Sequence, residues 1–224
     1  MRAEAPLVLL TGFEPFGGAD TNPSWEVASR VAARWSGRGV VQARRIPVTF
    51  DGGPRAVLDA VVEVRPDAVV MFGLHGGAHE LRLERVAVNV ADARIPDNAG
   101  AQPVDEPVVV GGPVGHWSTL PLRAALDAVG TTGVPAALSP SAGTYVCNAT
   151  FYAVQDALAR GGGPAVSGFV HVPPVAGERV TDDDGVAAAG SPGLPLDDLV
   201  RGAEAVVGAV VAALVAAPPV DDAA

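Results

Sequence analysis

No lysine occurs in this chain: all fifteen basic residues are arginine. A lysine Schiff base, a pyridoxal phosphate linkage and a Walker-type phosphate loop are thereby excluded together. Cysteine occurs once, at Cys147, so no internal disulfide can form. The framework of a small secreted domain is ruled out, and a reducing compartment, the cytoplasm by default, is expected. Positive charge is scarce as well. The formal net charge is -10 and no basic cluster offsets it, so nucleic acid is not an expected partner. The most apolar tract, "AVVGAVVAALVAA" from Ala205 to Ala217, falls short of the roughly 20 residues of a membrane span and reads as the buried face of a terminal helix. The opening "MRAEAPLVLLTGFEPFGG" has too short an apolar core for a signal peptide, and no membrane partner is expected.

What is present is apolar: hydrophobic residues make up 49% of the 224 positions, with 27 glycines and 20 prolines but no low-complexity tract. That composition belongs to an ordered globular chain. Neither a repeat nor a polar linker divides it, so residues 1–224 are expected to form a single domain.

The pattern alternates strand and helix. "LVLLTGF" (Leu7 to Phe13) is a continuous apolar run of the kind buried on both faces of a parallel sheet. Ser24 is expected to cap a helix whose Val27, Ala28, Val31, Ala32 and Trp35 share a face. "VVQARRIPVTF" reads as a strand broken at Pro47, "PRAVLDAVVEVR" as a helix with Pro54 at its start, and "AVVMFGL" as a second buried strand. In "LRLERVAVNV" the alternation changes phase between Glu84 and Arg85, which predicts a bulge or bend. "PLRAALDAVG", "NATFYAVQDALAR" and the stretch from about Leu196 to Ala216 read as helices, "VPAALS" and "VSGFVHVPP" as strands, and "AGERVTDDDGVAAAGSPG" as irregular. The fold class is α/β, one twisted sheet covered by helices.

Reactive residues of open α/β sheets gather at the carboxyl ends of strands. Cys147 follows the strand "VPAALS" and its loop, at or near the first turn of a helix, where the helix dipole favours thiolate. His171 lies near the end of "VSGFVHVPP". An imidazole beside a thiol activates it, and a third group then orients the ring; Glu84, at the phase change, is the best placed acid. Each residue also has a plainer reading: Cys147 as a small core residue, His171 as a structural histidine, Glu84 as half of a solvated pair with Arg85. His75 and His79 in "HGGAHE" have a metal-ligand spacing, but the glycines between them argue against a helix there and no metal is expected. "TGFEPFGG" follows a strand yet matches no nucleotide-binding pattern, and reads as a turn shaping a pocket.

Taken in order, "LLTGFEPFGGADTNPSWEVA", "ERVAVNVADARIPDNAGAQPV", "SAGTYVCNATFY" and "GFVHVPP" resemble the pyroglutamyl peptidase I family of cysteine peptidases, also called pyrrolidone-carboxylate peptidases. The resemblance spans nearly the whole chain. It implies a three-layer α/β/α sandwich with a mostly parallel or mixed sheet, like that of the purine nucleoside phosphorylases. It also implies a cofactor-free exopeptidase that removes N-terminal pyroglutamate from peptides through a thioester. Carried over by motif, Cys147 is the nucleophile, His171 the base, Glu84 the orienting acid, and Arg94 of "RIPDN" a support for the oxyanion. Phe13, Phe16, Val48, Leu74, Ile95, Tyr145 and Val146 then line a pocket for the lactam ring, and the protein is a homo-oligomer, often a tetramer. The chain departs from the family at Ala78, where an arginine is expected, and at His75, where a small residue is common. "IPVTF" also replaces the more frequent Pro-Thr-Val order. A phosphorylase or nucleosidase on the same fold, or a binding protein that keeps the pocket without turnover, are the alternatives.

Overall fold

The structure, a computed structural model, describes residues 5–161, 166–178, 180–181, 187–188 and 193–216. In chain order it contains β1 (Leu7–Phe13), α1 (Pro23–Arg34), β2 (Val40–Ile46), α2 (Gly52–Val64), β3 (Ala68–Leu74), β4 (Leu81–Glu84), β5 (Val86–Val88), β6 (Gly115–Trp117), α3 (Leu122–Thr131), β7 (Ala136–Ser139), α4 (Val146–Gly161), β8 (Val166–Val172), β9 (Val180–Thr181), β10 (Ala187–Ala188) and α5 (Leu196–Ala216).

Six strands form one sheet in the order β2-β1-β3-β8-β4-β7. Every neighbouring pair is parallel except β8 with β4, which is antiparallel. The continuous apolar runs occupy the middle: β1, β3 and β8 are buried along almost their whole length, as strands covered on both faces must be. Successive side chains point to opposite faces, and two apolar layers result. Val8, Leu10, Val70, Phe72, Leu83 and Val170 pack beneath α1, α3 and α5. Leu9, Phe13, Val69, Met71 and Phe169 pack against α2 and α4. This is a three-layer α/β/α arrangement with a mostly parallel, mixed sheet.

Three sequence expectations are refined. Asn22, not Ser24, caps α1: its Oδ1 accepts from the Ser24 N–H at 3.0 Å and from the Ser24 hydroxyl at 2.8 Å. The Ser24 hydroxyl oxygen instead accepts from the Phe13 N–H at 2.9 Å, which locks the helix start onto the end of β1. The phase change at Glu84–Arg85 is neither a bulge nor a bend within one sheet. The chain leaves the main sheet after Glu84, and β5 pairs antiparallel with β6 in a separate ribbon. Helix α5 as a whole has the length and composition of a membrane-crossing helix, although its apolar tract alone is shorter. Leu199, Val200, Ala203, Val207 and Val210 along it are fully buried against the sheet and helices, so the stripe serves the core. Most of "AGERVTDDDGVAAAGSPG" lies outside the described residues. Within it β9 pairs with β10, and the residues just outside its two ends, Val175 and Leu194, bridge in parallel.

Candidate active site

Among the described residues the antiparallel junction of the main sheet, β4 with β8, holds a fully buried carboxylate, Glu84. Arg82 of β4 is the register partner of His171 on β8, so their side chains share a face, and by period two Glu84 lies on that face as well. A long side chain spans the diagonal between strands. Glu84 does so: its Oε1 lies 2.8 Å from His171 Nδ1, with the two side chains 0% and 4% exposed. The carboxylate can only accept, so Nδ1 donates and Nε2 carries the exchangeable proton or lone pair. The second carboxylate oxygen, Oε2, is buried without a hydrogen-bond partner. A buried acceptor left unmatched costs about 1–3 kcal/mol, a cost tolerated more often at functional sites than in a plain core.

On the other side of β8, His171 is in register with Gly73 of β3. A side chain there would point to the same face, and glycine leaves the space open. Cys147 fills it: an ideal Cβ on Gly73 would stand 2.9 Å from Cys147 Sγ and 2.6 Å from the Phe169 ring. The thiol thus lies above the strand next to His171. Phe169 stacks between Phe13, Phe151 and His171, with its ring 4.9 Å from the imidazole.

Cys147 is the second residue of α4, at the end of the helix where the macrodipole favours negative charge. Its neighbour Asn148 anchors that turn. Fully buried, Asn148 accepts from the Val88 N–H at 3.0 Å and donates to the Val88 and Val90 carbonyls at 2.9 Å each. The departure of β5 from the main sheet therefore gives α4 a second support.

Beside Cys147 opens an apolar cleft. Phe13, Phe16, Val48, Leu74, Tyr145 and Val146 line it as the sequence suggested. Ile95 is outside the lining, partly buried against the same apolar cluster. Asn22 and Gly76, which sequence reasoning missed, complete the lining. Both ends of the Asn22 amide are already engaged, since Nδ2 donates to the Glu14 carbonyl at 2.8 Å. The "TGFEPFGG" turn shapes the cleft. Gly17 and Gly18 adopt positive φ of 62° and 79°, which L side chains rarely tolerate, and Glu14 Oε1 accepts from the Val48 N–H and the Asn98 amide. Tyr145 packs on Phe16 and edge-on to Phe50, and its hydroxyl donates to the Pro96 carbonyl at 3.0 Å.

Arg94 is exposed and does not line the cleft. Its segment is nevertheless tied to the loop before α4, because Asp92 N–H donates to the Thr144 carbonyl and the Thr144 hydroxyl donates to the Asp92 carbonyl. His75 stands with its ring at 86° to that of His171, centroids 5.6 Å apart, and its Nε2 lies 3.3 Å from Arg82 NH1. His79 is exposed. Ala78, at the position of the family's arginine, is fully buried.

Away from the cleft, His116 Nε2 meets Asp156 at 3.1 Å and Asp156 meets Arg160 at 2.7 Å on the opposite side of α4. Burial, with Asp156 nearby, pushes the Tyr152 hydroxyl up from its ordinary pKa, against the opposing charge of Arg160. It stays protonated and donates to the Pro113 carbonyl at 2.6 Å.

Known proteins resemble this chain in sequence and in fold. The sequence model described as pyroglutamyl peptidase matches residues 7–214. A pyrrolidone-carboxylate peptidase of Clavibacter michiganensis is 47% identical over 92% of this chain and 93% of its own. One from Thermococcus onnurineus is 44% identical over 74% of this chain and 82% of its own. Among solved structures, pyroglutamyl peptidase I of Bacillus amyloliquefaciens superposes with a TM-score of 0.85 at 34% identity, covering 92% of this chain and 97% of its own. A mutant pyrrolidone carboxyl peptidase of Pyrococcus furiosus gives 0.85 at 35%, covering 93% and 99%. Matching in sequence along nearly its whole length and in fold, the chain belongs to the pyroglutamyl peptidase family.

Proposed function

We propose that this chain removes the N-terminal pyroglutamyl residue from peptides, with Cys147 as nucleophile, His171 as acid and base, and Glu84 holding the imidazole. The observation that carries this reading is the thiol over Gly73, one strand from a buried histidine–carboxylate pair and at the wall of an aromatic cleft. The family to which the chain belongs performs this hydrolysis.

The Cys147 thiolate attacks the pyroglutamyl carbonyl carbon, and His171 gives its proton to the departing amine as the C–N bond breaks. The peptide leaves with a free amino terminus and the acyl group remains as a thioester. His171, now neutral, takes a proton from water, whose oxygen attacks the thioester; pyroglutamate departs and the thiolate returns. Backbone N–H groups in the first turn of α4 support the tetrahedral oxyanion, with Arg94, exposed outside the cleft, the second support that the family resemblance implies.

Pyroglutamate is flat and uncharged, so Phe13, Phe16 and Tyr145 can hold its ring while backbone groups bond the lactam. Among the described residues the lining holds no carboxylate, and its one side-chain amide, Asn22, is engaged at both ends, so no acidic side chain awaits an ammonium. An ordinary N-terminus would lose its water without a partner. We further propose that the protein works in the cytoplasm as a homo-oligomer, with a tetramer the expected state. Light scattering on the purified protein tests that state.

The test of the activity is hydrolysis of a fluorogenic pyroglutamyl amide beside the corresponding prolyl and glutamyl amides. Wild type is expected to cleave the pyroglutamyl amide alone, and Cys147→Ser to lose that activity. Full activity in Cys147→Ser overturns the reading.

A further inference from the structure

Besides the aromatic contact with Phe169, four positions neighbour His171 on its face. Gly73 and Arg82 flank it in register on β3 and β4, and Glu84 reaches it along one diagonal. The fourth position is His75. Its N–H donates to the Val172 carbonyl at 2.9 Å, continuing the β3–β8 ladder one step past β3, so period two places its side chain on the face of Gly73 and His171.

Arg82 has only donors, and its NH1 lies 3.3 Å from His75 Nε2. His75 therefore accepts at Nε2 and is neutral there, with its proton on Nδ1. The result is a row across the sheet: a guanidinium, a neutral imidazole standing perpendicular to the His171 ring, and His171 itself with Glu84 on its Nδ1.

We propose that His75, gripped by Arg82, is a positioning residue for His171: its perpendicular ring fixes the imidazole in the orientation that serves Cys147. The proposal rests on the reading of Cys147 and His171 as the reacting pair. Arg82 holds His75 from β4 while the His75 ring meets His171 on β8, whose Nδ1 is in turn held by Glu84.

The experiment compares wild type, His75→Ala, His75→Gln, Arg82→Met and Arg82→Lys. The readouts are kcat and KM on a pyroglutamyl amide and, without turnover, the rate of Cys147 alkylation by iodoacetamide. His75→Ala is expected to lower kcat several-fold with little change in KM. His75→Gln, whose amide oxygen can accept from Arg82, is expected to restore it. Arg82→Met, which cannot donate to His75, is expected to lower kcat likewise, with Arg82→Lys remaining near wild type. Wild-type kcat in both His75→Ala and Arg82→Met overturns the proposal while leaving the peptidase reading intact. An inactive wild type, or an active Cys147→Ser, overturns both.

Discussion

Cys147 Sγ occupies the space that a side chain on Gly73 would take, 2.9 Å from where its Cβ would stand. Gly73 is the register partner of His171, so the glycine is what lets a residue from α4 reach the histidine on β8. Gly73→Ala is expected to displace the thiol and the Phe169 ring together. Pyroglutamyl amide turnover should fall at least about tenfold, since small misplacement of reacting groups is costly, and iodoacetamide alkylation of Cys147 should slow in parallel.

Glu84→Ala removes the acceptor from a fully buried ring nitrogen. Without the carboxylate the tautomer and the imidazolium are both unsupported, and kcat is expected to fall by about a hundredfold or more. Steady-state kinetics on a pyroglutamyl amide check the fall.

Tyr145 joins the cleft to the Arg94 segment through its hydroxyl and the Pro96 carbonyl. Tyr145→Phe keeps the aromatic wall but frees that segment. KM for a pyroglutamyl amide is expected to rise several-fold with a smaller change in kcat, and steady-state kinetics separate the two.

Asn22→Ala removes the cap of α1 and its bonds to Ser24 and Glu14. Loss of the cap alone costs about 1 kcal/mol, which for a chain of this size lowers Tm by ~2–4 °C. Because Asn22 also lines the cleft, KM should rise along with the fall in Tm, as a thermal melt and kinetics on one preparation would show.

Much of this site is written locally in the chain. The buried strands β1, β3 and β8 are continuous apolar runs, and the phase change after Glu84 marks the place where the chain leaves the main sheet. Six of the seven expected pocket residues line the cleft; Ile95 does not, and packs partly buried against the same apolar cluster. What could not be read depends on strand order. His75 and Arg82 meet His171 only because β8, far along the chain, inserts between β3 and β4, and no local pattern states that. The role of Gly73 is hidden for the same reason, since a glycine in a strand does not say whose atom fills its space. The choice between Asn22 and Ser24 as the cap is settled by the end of β1, which claims the Ser24 hydroxyl through the Phe13 N–H.

The most direct measurement is mass spectrometry of the enzyme acid-quenched during turnover of an activated pyroglutamyl ester, followed by peptide mapping. A pyroglutamyl group bound as a thioester on Cys147, absent after iodoacetamide treatment and absent in Cys147→Ser, is the expected result. Turnover that continues with Cys147 blocked, or an acyl group mapped to another residue, would contradict the assignment of Cys147 as the nucleophile.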